Sequence, residues 1–453
     1  MIKKRKFKFT TTQIILLSFL VTIIIGSGLL ALPISSKSKE PVPYIDALFT
    51  ATTATCVTGL VTLPTVSTWS VFGQIVILLL IQIGGLGIIT IMSGLMLLLN
   101  RKMGIGDRLL IQDAFNLNTM SGLAKFVKNV LFGTLIIEGI GAALYMLVFV
   151  PDFGAKGIWI SLFNAVSAFC NAGIDIIAEN SLCNYATNPL INIVTSVLIV
   201  LGGFGYIVWW DVLRVVKSRS SKNRRIFRHL TLHSKIAITV TAGLILFGAI
   251  LIFVFEYTNP LTIGKMSLFD KIQVSFFQSV TTRTAGFASI PQENLTNASA
   301  TISIILMLIG GSPVGTAGGM KTVTVAVLVC SAFATIRNRK SATLFGRRIS
   351  EEAVKKAVAV AVAFITICLV STILLMATSS ASFIDVVYET VSATATVGLS
   401  RNLTGTLDTL GKLIITVTMY LGRVGPISLA VALGSKNESQ NVISEPTEDI
   451  SIG

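Results

Sequence analysis

Charge is scarce in this sequence. Asp, Glu, Lys and Arg make up 13% of the 453 residues, about half the share that soluble proteins carry. Histidine is scarcer still. His229 and His233 are the only two, and their spacing lacks the intervening glutamate of a zinc-protease helix. No nucleophile with a base and no metal set emerges, so the chain does not read as an enzyme. Cys56, Cys170, Cys183, Cys330 and Cys368 form no CxxC pair and no even set, which supports neither a disulfide framework nor a zinc site. They read as small apolar fillers.

What the sequence has in abundance is apolar length. Hydrophobic residues make up 53% of the chain and the mean hydropathy is +0.80. Residues 13–32, 70–99, 130–150, 190–213, 236–255 and 358–376 form runs of the length that crosses a hydrocarbon core about 30 Å thick. The first run follows Lys3, Lys4, Arg5, Lys6 and Lys8. It exceeds a signal-peptide core of about 7–15 residues and lacks a good cleavage site, so it reads as a retained helix.

The net charge of +15 does not imply a nucleic-acid groove, because the basic residues sit between apolar runs. They report topology instead. The N-terminus, residues 214–235 with eight Lys or Arg and residues 337–356 with seven are expected in the cytoplasm, with both termini inside.

An internal repeat organises the chain. Phe49, Phe163, Phe276 and Tyr388 are each followed ten positions later by glycine, at Gly59, Gly173, Gly286 and Gly398. Successive glycines are 114, 113 and 112 residues apart. The intervening residues are small and hydroxyl-rich, as in Thr53-Ala54, Ser167-Ala168 and Ser392-Ala393, whereas repeat three has Val280-Thr281. Each segment is too short and polar to span a membrane and lies between two apolar runs.

The expected fold is therefore an all-α membrane protein with eight transmembrane helices and four re-entrant pore loops. Its parts are a basic cytoplasmic N-terminus (1–12), repeat one (13–100), repeat two with a preceding cytoplasmic loop (101–214), repeat three with a basic loop and an intramembrane gating loop (215–335), repeat four (336–434) and a cytoplasmic tail (435–453). Non-helical backbone at membrane depth is tolerated only inside protein or beside water, so four in-register loops imply one central aqueous pathway.

The loop residues suit a cation. Thr55, Cys56, Val57, Thr58 and Gly59, then Cys170, Asn171, Ala172 and Gly173, then Thr284, Ala285 and Gly286, then Thr396, Val397 and Gly398 are expected to be extended backbone ending in glycine. Four such strands present carbonyl oxygens that replace a hydration shell, and the preceding half-helices direct negative C-terminal ends at the centre. Asp46 and Asp385 are expected to cap the outer helix ends; repeat two has no such acid. Asn171 reads equally as packing or ion-proximal, and Arg283 is expected to point away from the ion and tie its loop to neighbours.

On these motifs the sequence resembles the Trk/Ktr/HKT superfamily of potassium transporters, whose single chain carries four pore-loop repeats each with a filter glycine. The resemblance covers about residues 13–433. Glycine in all four repeats is similar to potassium-selective members, and the length is similar to the bacterial Ktr-type (KtrB-like) membrane subunit. It implies potassium at the filter, a homodimer, a separate cytoplasmic ring of KtrA-like nucleotide-binding regulatory subunits and residence in the plasma membrane. No cofactor is expected on this chain itself, and sodium as a coupling or activating ion stays open. The basic inner loops suit either docking of that ring or contact with anionic membrane lipid.

Below the filter, glycines recur at Gly84-Gly85, Gly202-Gly203, Gly310-Gly311 and Gly422. Repeat three adds Ser312, Pro313, Gly315, Thr316, Gly318 and Gly319. Proline removes an N–H and each glycine costs about 1 kcal/mol relative to alanine, so a mobile gating loop is expected there. Residues 315–322 end in Lys-Thr, but Met320 stands where a phosphate-binding loop needs glycine. Arg423 lies inside an apolar stretch, where a charge faces a cavity or a partner. It reads as a barrier or latch at the gate, or as one half of an ion pair with Glu138 or Glu389. A sodium-permeable transporter of the same superfamily is the alternative function. A carrier for another solute fits less well, because the periodicity is fourfold and loop-based.

Overall fold

The computed structural model of the chain describes residues 10–99, 104, 106, 109, 122–217, 226–339 and 341–425. Most of the basic N-terminus and the whole expected tail 435–453 lie outside the described residues, as do parts of the inner loops.

Each repeat opens with a long apolar leading helix: Thr11–Leu30, Leu123–Phe153, Leu232–Glu256 and Glu351–Thr378. Thr10, Thr231 and Ser350 cap three of them by accepting a backbone N–H from the first turn, which satisfies donors that lack an intrahelical partner. Only 22–33% of the residues in these spans are buried by protein, so most of their surface is left for lipid.

A short pore helix follows each one: Tyr44–Cys56, Lys156–Cys170, Leu268–Thr281 and Phe383–Ala395. These sit inside the molecule. Phe49, Phe163 and Tyr388 are wholly buried. Repeat three departs from the expected register, because Phe276 is 41% exposed while Phe277 is buried. Its pore helix also ends five residues before the glycine, where the others end three before.

The returning limbs differ from the expected continuous spans. Among the described residues, four helices are long and apolar enough to cross a membrane, or up to six if each bent pair counts once. In repeat one, Val71–Leu86 turns by 95° into Ile88–Leu98, and in repeat two Pro189–Gly203 turns by 95° into Tyr206–Lys217. The bends fall at Gly87 (φ 84°) and Gly205 (φ 80°), a left-handed backbone that side chains oppose. In repeat three, residues 309–321 separate Asn297–Leu308 from Thr322–Ile336. The fourth limb, Thr409–Val424, runs to Gly425. The break expected for repeat three alone therefore has counterparts in repeats one and two.

An unanticipated β-hairpin pairs Thr343–Leu344 with Arg347–Arg348 around Phe345 and Gly346, both at positive φ, as tight hairpin turns require. Ala342 and Ile349 seat it on Val327, Ala334 and Ala357.

Repeats one and four also meet. Lys412 Nζ lies 2.6 Å from Asp46 Oδ1, with side chains 16% and 7% exposed. Asp46 stands in the first turn of its pore helix rather than at the cap, which is Pro43. Asp385 likewise is not the cap: Ser382 accepts its N–H, and the carboxylate pairs with Arg401 at 2.7 Å. The expected capping by both acids is thus replaced by ion pairs, while their negative charge still favours the positive helix end.

Breaking a buried pair by removing one partner costs about 3–5 kcal/mol, while removing both costs far less. Lys412→Met should therefore lower thermal stability in detergent sharply, and Asp46→Asn with Lys412→Met should recover much of the loss, read as Tm by tryptophan fluorescence.

Candidate functional site

The four loops after the pore helices close into a ring. A methyl group built on Gly59 would stand 2.5 Å from the Ala172 carbonyl oxygen; on Gly173, 2.6 Å from that of Ala285; on Gly286, 2.5 Å from that of Val397; and on Gly398, 2.2 Å from that of Thr58. Each glycine thus touches the next repeat, and the last touches the first. The four are held at φ between 64° and 98°, so a side chain is excluded twice, by its backbone and by its neighbour.

Two residues earlier the backbone is also left-handed, at Val57, Asn171, Thr284 and Thr396, with φ between 51° and 64°. The expected extended strands are therefore corrected to a left-handed turn followed by a glycine. In repeats one, two and four this turn ends the pore helix. Val57, Asn171 and Thr396 donate their N–H groups to Ala54, Ala168 and Ala393. Thr58, Ala172 and Val397 then donate to Thr53, Ser167 and Ser392, each at 2.8 Å. The hydroxyls of those same three residues accept from Gly59, Ile174 and Gly398 N–H groups at 2.9, 3.1 and 3.0 Å. The hydroxyl-rich composition thus has a structural meaning: these side chains brace the loop from behind.

Repeat three is built otherwise, because Val280 has no hydroxyl. Thr281 Oγ1 donates to the Phe287 carbonyl at 2.7 Å, and Arg283 Nη2 donates to the Gly310 carbonyl at 2.7 Å. With its amide turned so that the nitrogen faces acceptors, Asn171 donates to the Ile199 carbonyl at 3.2 Å and to that of Ala168 at 3.1 Å.

Behind the ring, the return-limb glycines lie against the ends of the pore helices. Methyl groups on Gly84, Gly202 and Gly422 would fall 1.9, 1.9 and 2.1 Å from the carbonyls of Thr55, Phe169 and Thr394. Gly310 breaks the pattern and packs on Gly318.

Residues 309–321 run below the ring. Their two ends pair, with Gly310 N–H donating to Met320 at 2.9 Å and Thr322 N–H to Gly311 at 3.0 Å. The middle is tied to the bend of repeat two: Ser312 and Thr316 donate to Gly203 and Gly202, and Tyr206 N–H donates to the Val314 carbonyl. Thr316 Oγ1 reaches the Phe169 carbonyl at 3.1 Å. A methyl group on Gly318 would meet Thr396 Oγ1 at 1.9 Å, so the loop lies directly against the ring segment of repeat four.

Arg423 crosses this arrangement. Nη1 donates to the Thr316 carbonyl at 2.6 Å and Nη2 to the Gly84 carbonyl at 2.5 Å. Glu138 instead accepts from Gln82, and Glu389 from Ser400 and Thr404. Lys321 Nζ adds a bond to the Ala317 carbonyl at 2.5 Å. That contact and the brace from Thr316 were not legible in the sequence, since both join residues to backbone far away or within an irregular loop.

A cavity lies on each side. One, about 400 Å³, is floored by all four ring glycines and walled by Asp175, Glu179 and Glu293; it lies across the ring from residues 309–321 and is termed the outer cavity, its counterpart the inner one. The inner one, about 380 Å³, is bounded by Gly84, Gly318, Lys321 and Arg423. The described residues hold no cluster of three His, Cys, Asp or Glu side chains for a resident metal.

The family described as cation transport protein TrkH matches residues 3–444. The chain belongs to this TrkH family. It is 39% identical over 436 residues to the Ktr system potassium uptake protein B of Bacillus subtilis, covering 96% of this chain and 95% of that one. It is also 39% identical over 457 residues to the potassium/sodium uptake protein NtpJ of Enterococcus hirae, covering 100% and 99%. The crystal structure of the potassium transporter TrkH from Vibrio parahaemolyticus superposes with a TM-score of 0.75 at 16% identity, over 95% of this chain and 86% of that one, which shows a shared fold. A TrkH-family chain with these apolar helices is a multi-pass membrane protein, and its family and relatives are ion transporters rather than enzymes.

Asp175, two residues beyond Gly173, is buried in the outer cavity wall. Burial pushes its carboxyl up to about 6, against the bonds it accepts from Ser181 and the Ile177 and Ala178 N–H groups. Burial disfavours the charged form, so the outer wall should lose this negative charge as pH falls through about 6. A carboxylic-acid infrared band that grows over that range in the purified protein, and is missing from Asp175→Asn, checks it.

Proposed function

We propose that this chain is the membrane subunit of a potassium uptake system, passing potassium through the ring formed by the segments ending at Gly59, Gly173, Gly286 and Gly398. The observation that carries the reading is that ring: four glycine-ended loops in mutual contact, with a cavity of about 400 Å³ on one side and one of about 380 Å³ on the other. Carbonyl oxygens brought round one axis replace a cation's hydration shell without needing a carboxylate ring. The outer acids raise the local cation concentration.

The gate in this reading is the loop of repeat three. Gly310, Gly311, Ser312, Pro313, Gly315, Thr316, Gly318 and Gly319 occupy the path between ring and inner cavity, and Arg423 latches Thr316 to Gly84. Each repeat then contributes a leading helix, a re-entrant loop and a returning limb, giving eight crossings if every interrupted limb is one, with both termini in the cytoplasm. Homodimer formation and control by a cytoplasmic nucleotide-binding ring are part of the same proposal. It is supported by the names of the relatives, which describe one component of a Ktr system.

A second reading, sodium passage or sodium dependence, is favoured by one observation: NtpJ is named as a potassium/sodium uptake protein. Flux in liposomes with either ion alone separates the two.

Rubidium or potassium uptake in transport-deficient cells tests the main reading. The chain should restore growth at low potassium, and Gly286→Ser, which places a side chain at φ 82° and against the Val397 carbonyl, should abolish uptake or its selectivity over sodium. Failure of the unaltered chain to restore uptake would overturn conduction. Charge-assisted hydrogen bonds contribute about 1.5–3 kcal/mol each, so releasing the latch in Arg423→Ala should raise basal flux about tenfold or more. Unchanged flux and unchanged gating would remove Arg423 from the gate.

A further inference from the structure

Three residues before the ring glycine the repeats carry Cys56, Cys170, Arg283 and Ala395. All four are buried, Arg283 at 5% exposure and the others at 0%. Small neutral side chains suffice in three repeats. The fourth holds a guanidinium, with no ion pair to it among the described residues.

A buried unpaired charge is costly, and its one strong contact is specific. Nη2 donates to the Gly310 carbonyl, at the first residue beyond the Ile309–Met320 bridge, where the two ends of the loop pair. Nη1 is buried without a partner, and a void of about 10 Å³ beside it is lined by Ile199, Gly203, Thr241 and Gly311. That void has the size of a single water site. The contact also replaces something. In repeats one, two and four a return-limb glycine lies directly on a pore-helix carbonyl, while Gly310 does not. Arg283 spans the gap that this leaves.

We propose that Arg283 is a positioning residue, a strut that joins the filter segment of repeat three to the base of the loop and makes Gly310 its fixed pivot. Arg423 then holds the part that moves, at Thr316, and Arg283 the part that does not. The two arginines have different duties because they grip opposite parts of the same loop. Filter geometry and gate position are coupled through one side chain, so disturbing it shifts both. The inference rests on the conduction reading for its functional half and on geometry alone for its structural half.

The test uses full-length protein in liposomes and in detergent. Arg283→Met keeps length but cannot donate, Arg283→Gln is neutral and too short to reach, and Arg283→Lys keeps a charged donor. For Met, amide hydrogen exchange across residues 309–321 should quicken about tenfold, and the potassium-over-sodium flux ratio should fall at least about fivefold. Lys should recover much of both. Arg423→Ala should raise flux with the ion ratio intact. Should the Met variant not fold, Gln carries the same two readings. If exchange alone, the ion ratio alone, or neither changes, the strut is overturned. If the unaltered protein passes no potassium, conduction fails instead, and faster loop exchange in Met or Gln still separates strut from no strut.

Discussion

Backbone that leaves a helix inside a membrane has no water to turn to, and the whole of this structure answers that constraint. Each pore helix stops inside the protein, and its last C=O groups and the N–H groups of the loop beyond must be met by protein. In three repeats a threonine or serine six residues before the ring glycine does this with both its backbone carbonyl and its hydroxyl. The loop below obeys the same rule with other partners, taken from the bend of repeat two and from Arg423. The glycines follow from this packing, because the carbonyls that face them leave no room for a side chain.

Approximate fourfold symmetry and its violations then divide the labour. The parts that close the ring, the left-handed turn and the glycine, recur in every repeat. The parts that distinguish one side of the ring from another differ: Val280 for a hydroxyl, Arg283 for a small residue, an irregular stretch for a helix, and Arg423 on the last limb. Repeat three carries most of these departures, and its pore helix has shifted register so that Phe277 rather than Phe276 is buried. A single chain allows such asymmetry, since each quarter has its own sequence.

Much of this was legible from the residues. The spacing of Gly59, Gly173, Gly286 and Gly398 gave the ring, and five glycines with a proline gave the interrupted limb of repeat three. The bends at Gly87 and Gly205 were not legible, because one glycine in an apolar run reads equally as helix packing. The Asp46–Lys412 pair and the Thr316–Phe169 contact join residues hundreds or more than a hundred positions apart, and periodicity carries no trace of them. The position of Asp385 before the aromatic fits the first turn as well as the cap, and only the backbone separates it from Ser382, the residue that caps.

The order of contacts round the ring has a consequence for how the protein is made. Repeat one touches repeat two, two touches three, three touches four, and Gly398 comes back to Gly59. As the chain leaves the ribosome, the first three quarters lack one side of the ring, and nothing can complete it until residue 398 has been made. A nascent or truncated chain that stops short of Gly398 therefore leaves Gly59 without its neighbour from repeat four, and the ring of backbone stays open.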